Sequence, residues 1–225
     1  MKAGAPLSPD TFRFFRELVR NNHKPWMDQN RDRYKSCVVE PFRVLLDRLA
    51  PVARKLNPRF DVSGRVGVNF SRINRDVRFA RDKSPYRPHM YLHFAENKSD
   101  GAQLYVGVAA DTVTSGFRVY GSGRTSPIVL LARPRGRDHR KWLERQRGRL
   151  RNYESYWYST IQGEWTKHKG WPAKPEEWKK LQAWVVRRKF SRGAACRSGF
   201  EREAEKVFRD LYPLYRFTMQ PDWKP

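Results

Sequence analysis

Apolar residues recur at helical spacing near the start of the chain. Phe12, Phe15, Leu18 and Val19 form one stripe behind Ser8-Pro9-Asp10. There Ser8 can cap, Pro9 suits the first helical position and Asp10 suits the positive end of the dipole. Asn21-Asn22 ends that helix, and Lys24-Pro25-Trp26 starts the next, with Trp26, Asn30, Tyr34, Cys37 and Val38 on one face. Phe42, Leu45, Leu46, Leu49 and Val52 continue the period, and Pro41 either kinks one long helix or opens a second. Asn57-Pro58 closes this helical region, 8–57.

Over 62–120 the period becomes two. Strands are expected near 66–73, 75–80, 89–96, 103–109 and 113–120, with a tight turn at Asp111-Thr112 joining the last two. Phe70 to Arg87 packs five arginines, one lysine and two aspartates into this region. Between Ser71 and Phe79, the residues Ile73, Val77 and Phe79 point one way, and Arg72, Asn74, Asp76 and Arg78 the other. Arg75 falls on the apolar side. A guanidinium there must be paired, or a bulge must re-aim it, and Arg75 with Asp76 is the expected structural ion pair.

The third region, 125–219, is helical, aromatic and basic. It follows the polar loop Gly121 to Ser126. A helix in two pieces is expected over 127–151, broken near Pro134-Arg135-Gly136. Lys174-Pro175-Glu176-Glu177 opens a helix through Leu181, and Ala183–Phe190 reads as a late strand returning to the sheet. Ser198-Gly199-Phe200-Glu201 reads as a capping box opening a last helix that ends at Pro213. The order predicts one α+β domain over 1–225: a central, mainly antiparallel sheet with flanking N-terminal and C-terminal helices.

Charge changes the picture. The 225 residues hold 47 Lys+Arg against 23 Asp+Glu, a formal net charge of +24. That surplus points to a polyanionic partner, nucleic acid backbone foremost. The two cysteines, Cys37 and Cys196, stand in no metal or redox spacing and fit a reducing, cytoplasmic compartment. No run approaches the ~18 apolar residues that span a bilayer, and Met1 to Pro9 lacks the apolar stretch of a signal peptide.

Two constellations could carry chemistry. In the first, Arg72, Arg78, Arg81, Lys83 and Arg87 form an anion site, with Ser84 and Tyr86 donating hydrogen bonds. A small phosphorylated or carboxylated ligand would suit it, and Tyr86 and His89 are its acid/base candidates. The same charges also read as a structural network in which Asp76 and Asp82 neutralise the arginines. His89 and His93, four strand residues apart, would stand about 13 Å from each other, too far to share a metal. No metal site, cofactor fingerprint or nucleophile motif is present in the sequence. The second constellation is 133–184, where six of the eight tryptophans interleave with basic residues. Trp142, Trp157, Trp165 and Trp171 are candidate platforms for stacking nucleic-acid bases, while Trp178, Trp184 and Tyr156 read as core.

Several stretches resemble a known family. Phe14-Phe15-Arg16-Glu17-Leu18, Asn21-Asn22-His23-Lys24-Pro25-Trp26 and Asn30-Arg31-Asp32-Arg33-Tyr34 are similar to the opening of the microbial family called domain of unknown function 2461. Arg72 to Phe79 with Asp82-Lys83-Ser84-Pro85-Tyr86 resembles its central signature, and Tyr105-Val106-Gly107 with Gly116 to Tyr120 its following hairpin. Lys189-Phe190 and Phe208 to Leu214 resemble its ending. The resemblance implies one near full-length domain and carries no assigned activity.

Overall fold

The computed structural model describes residues 4–96, 101–121 and 137–219. The loop expected at 122–126 and the first piece and break of the helix expected over 127–151 lie outside the described residues.

The N-terminal helices follow the apolar stripes. Helix α1 (Pro9–Arg20) buries Phe12, Phe15 and Leu18 as expected. It also buries Phe14, whose ring meets Trp26 at 5.5 Å and Tyr34 at 5.7 Å. Val19 turns outward instead, 56% exposed, because the buried stripe centres on Phe15. Helices α2 (Lys24–Gln29) and α3 (Arg31–Tyr34) follow, then a π-helical segment, Lys35–Val39, and α4 (Glu40–Leu56). Pro41 therefore opens α4 just after a register change. Proline brings no N–H to an early helical position, where that donor has no intrahelical partner. Phe42, Leu45, Leu46, Leu49 and Val52 form the buried face of α4, and α4 packs on the first strand.

The fold is α+β. Its antiparallel sheet has six strands among the described residues: β1 (His89–Phe94), β2 (Ala102–Ala109), β3 (Val113–Tyr120), β4 (Glu154–Ile161), β5 (Glu164–Lys169) and β6 (Ala183–Phe190). Their order is β1-β2-β3-β6-β4-β5, so the late strand inserts between two earlier ones. The turn at Asp111-Thr112 closes the β2–β3 hairpin through the Ala109 N–H, which donates to the Thr112 carbonyl at 3.0 Å. At Gly116 a Cβ would meet the Val186 carbonyl at 2.4 Å, so only glycine admits this backbone approach.

Four expectations fail. The strands expected near 66–73 and 75–80 are loop, with isolated bridges at Val66, Phe70 and Asn74. The aromatic stretch after Tyr153, not foreseen as strand, forms β4 and β5. The last helix, α8 (Phe200–Met219), runs through Pro213. Burial of Leu214, Tyr215 and Phe217 beyond the proline offsets the backbone bond it removes. Gly199, with φ 88°, precedes that helix directly, so Ser198 stands one residue too early to cap it.

The remaining helices among the described residues are α5 (Arg137–Arg149), α6 (Pro175–Lys180) and α7 (Arg192–Ala195). The chain divides into two compact units, each discontinuous in sequence. One comprises Met1–Lys98, Tyr105–Ser115 and Lys189–Lys206, the other Ser99–Leu104, Gly116–Arg188 and Val207–Pro225. No described helix is long and apolar enough to cross a membrane.

Candidate functional site

The arginine-rich loop lies in the first unit. Asn69, 1% exposed, anchors its start. Its amide donates to the Asp61 carbonyl at 2.7 Å and the His93 carbonyl at 3.1 Å, and its Oδ1 accepts the Gly64 N–H at 2.9 Å. Further on, the Arg75 N–H donates to the Pro85 carbonyl and the Arg87 N–H to the Ile73 carbonyl, both at 2.8 Å. Asn22 clamps Tyr86 on both sides: its Oδ1 accepts the Tyr86 N–H at 3.0 Å and its Nδ2 donates to the Tyr86 carbonyl at 2.9 Å. Two short extended segments thus face each other with a single bridge, Asn74 to Tyr86, and the chain between them loops out.

Within that excursion the charges are committed to one another. Arg78 grips Asp76 with Nε at 3.0 Å and Nη2 at 2.7 Å. Arg75 instead pairs with Asp82. The expected Arg75–Asp76 pair is therefore replaced by two others. Two residues of turn bring Arg78 back over Asp76, while the bridge at Asn74 brings Arg75 beside the returning segment. Hydrogen bonds from Ser84, then from Arg75, hold the Asp82 carboxyl well below the usual carboxylate range. The Arg78 hydrogen bonds lower Asp76 in the same way. Lys83 Nζ donates to the carbonyls of Val77 at 3.1 Å and Arg78 at 3.4 Å. Phe79, expected on the buried side, stands at the tip, 96% exposed, under the Arg78 guanidinium.

Of the candidate ligand residues here, Arg72, Arg81 and Arg87 face solvent. Ser84 is half-buried, and Tyr86 is 5% exposed. A cavity of about 380 Å³ lies beside the start of the loop, with Arg72 on its wall. Tyr86 and His89 do not line it. His89 opens β1 with its ring 5.2 Å from Tyr91. The structure brings Arg72 to a cavity and leaves the acid/base candidates away from it.

The second constellation resolves into a built surface in the other unit. β4 and β5 form a two-residue hairpin through Gln162 and Gly163, whose φ angles of 51° and 81° are those of a primed turn. The ladder sorts the aromatic residues by face. Trp157 pairs across to His168 and to Trp184, placing all three on one side. There Trp184 is fully buried, donates from Nε1 to Ser155 Oγ at 3.0 Å, and meets the edges of Trp171, Trp178 and Phe117. His168 stacks on Trp157 at 3.7 Å, its Nε2 2.9 Å from Ser159 Oγ.

The opposite side carries Tyr156, Tyr158 and Thr160, paired in register with Lys169, Lys167 and Trp165. Lys167 Nζ lies 4.1 Å from the Tyr156 ring centroid, and Arg187 of the neighbouring β6 lies 4.9 Å from it. Trp165 is 59% exposed, its ring edge-on to Tyr158 at 6.3 Å. This face is aromatic and cationic, and β5 is the edge of the described sheet.

Of the four expected stacking tryptophans, only Trp165 is open. Trp142 is buried against Phe217, stacked at 5.0 Å, because Trp142, Gln146 and Leu150 form the inward stripe of α5 and the turn after it. Trp157 is buried by the hairpin register, and Trp171 is half-buried on Trp184. Tyr156, expected in the core, stands on the cationic face. The residues missed were Tyr158, Lys167, Lys169 and Arg187. Their signal was present: Ser155, Trp157 and Ser159 alternate with Tyr156, Tyr158 and Thr160 up to Gln162-Gly163. Among the described residues, no group of three or more His, Cys, Asp or Glu is placed to hold a metal ion.

Residues 10–217 match the family described as conserved hypothetical protein (DUF2461). No curated protein matches the chain.

Proposed function

The chain belongs to the DUF2461 family, and for this member we propose that the cationic face of β4–β5 binds a polyanion, single-stranded nucleic acid in the first place. One observation carries the reading. Trp165, 59% exposed, and Tyr158 share a hydrogen-bonded ladder face with Lys167 and Lys169. A flat aromatic ring accepts any base by stacking, worth ~1–3 kcal/mol per base, and the lysines neutralise phosphates along the strand. The buried tryptophans on the other side keep the ladder rigid, so the rings are positioned before a ligand arrives. The net charge of +24 adds long-range attraction for any polyanion.

The test is fluorescence anisotropy with labelled single-stranded DNA and RNA across a salt series. Binding should weaken steeply with salt. Trp165→Ala should weaken it about 10-fold or more, the equivalent of one lost stacking contact. Lys167→Ala with Lys169→Ala should flatten the log–log salt slope by about 1.4, at ~0.7 per phosphate contact. Absent binding, or binding that neither change alters, overturns the reading.

A further inference from the structure

The cavity of about 380 Å³ in the first unit falls outside the proposed nucleic-acid face, and its walls have a definite chemistry. Val39, Phe70 and Met90 make an apolar surface, and two guanidinium-bearing residues, Arg43 and Arg72, join it. Arg72 makes no ion pair or side-chain hydrogen bond with any described residue. Arg43 has one ion-pair contact, 3.8 Å from Glu40. Tyr34 also lines the space. Burial pushes its hydroxyl upward from the ordinary tyrosine value, so it stays a neutral donor at physiological pH.

The helix geometry explains how Tyr34 and Val39 share the cavity. Five residues of α-helix advance by about 500°, leaving the two side chains ~140° apart. Here the Glu40 N–H donates to the Lys35 carbonyl, five residues back, as in a π-helix. That wider turn returns Val39 to the side that Tyr34 occupies. Arg43, four residues further on in α4, follows on the same side. A π segment is a rare conformation, often found where a helix forms a binding site.

We infer that this cavity is a binding site for a small amphiphilic anion. Such a ligand has a phosphate or carboxylate group for Arg43 and Arg72 and an apolar body for Val39, Phe70 and Met90. The volume falls at the lower end of the range of small-molecule sites, ~300–1,000 Å³. Arginine's planar fork suits either oxyanion, and Tyr34 offers a further hydrogen bond.

The probe is 1-naphthyl phosphate, titrated into the full chain by isothermal calorimetry, with 1-naphthol and inorganic phosphate as halves of the molecule. The inference expects saturable binding of the probe and at least 10-fold weaker binding of each half. Arg72→Ala should weaken the probe at least 10-fold. Arg72 is exposed, so this variant should melt like the parent. Val39→Trp, which fills the cavity, should abolish binding, while Arg81→Ala and Trp165→Ala should leave it unchanged. The Trp165 variant separates this site from the nucleic-acid face. No saturable binding, equal binding of inorganic phosphate and the probe, or unaltered binding in Arg72→Ala overturns the inference.

Discussion

The arginine-rich loop and the β4–β5 hairpin are both dense in cations and aromatic rings, yet they use them in opposite ways. In the loop, Arg75 and Arg78 close on Asp82 and Asp76, and Lys83 closes on backbone carbonyls. Those cations shape the loop and are not free for a ligand. In the hairpin the backbone ladder sets the shape, so Lys167 and Lys169 have no structural carboxylate to satisfy among their paired positions. The comparison teaches that a run of basic residues is informative only together with its acidic neighbours. Where the chain folds carboxylates back onto them, the cations build structure, whereas the ladder turns Glu164, three residues before Lys167, to the opposite face. Where rings and hydroxyls alternate with them, they remain on offer.

The comparison can be broken most decisively beneath the hairpin. Trp184→Ala should cost ~3–5 kcal/mol in denaturant unfolding, because a fully buried indole leaves a large cavity. Trp165→Ala, on the other side of the same ladder, should stay within ~0.5 kcal/mol. Similar losses for the two would erase the division between floor and binding face. In the loop, Asn69→Ala should cost ~1–3 kcal/mol by the same measurement, since it leaves the Gly64 N–H and two carbonyls without their partner. A negligible cost would mean that the loop is not anchored there. The smallest effect is local. Asp82 is depressed in the folded chain, so its contribution is present above the ordinary carboxylate value of ~3.9 and is lost as pH falls through the lower folded value. The Ser84 amide NMR shift should therefore hold steady from pH 7 to about 4 and move only below that range. A midpoint at the ordinary value would detach Asp82 from the loop's structure.

Periodicity in the sequence reported burial more faithfully than pairing. Ser71, Ile73, Arg75 and Val77 are half-buried and Arg72, Asn74, Asp76 and Arg78 exposed, as the alternation implied. No ladder forms there, because alternation requires only an extended backbone, and the Asn22 side chain occupies both backbone groups of Tyr86, opposite Asn74. Such long-range side-chain clamps leave no periodic trace. The α+β class, β6 as a late strand and the buried faces of α1 and α4 were legible, since each is a repeated local pattern. The site was read from composition, although the alternation over 155–160 also marked its strand. Which face each tryptophan takes depends on register, and the Gln162-Gly163 turn that sets it carries only one glycine as its mark.

The π segment can also be viewed as one surplus residue held inside a helix. Removing a single residue from Lys35–Val39, Cys37 for instance, would let the chain continue in ordinary α-helical register into Glu40. Tyr34 and Val39 would then be four α-helical residues apart, about 400°, and would still share a side. The wide turn therefore absorbs one residue without rotating either flank. A length change of a single residue at this point leaves the buried face of α4 and the cavity wall where they are.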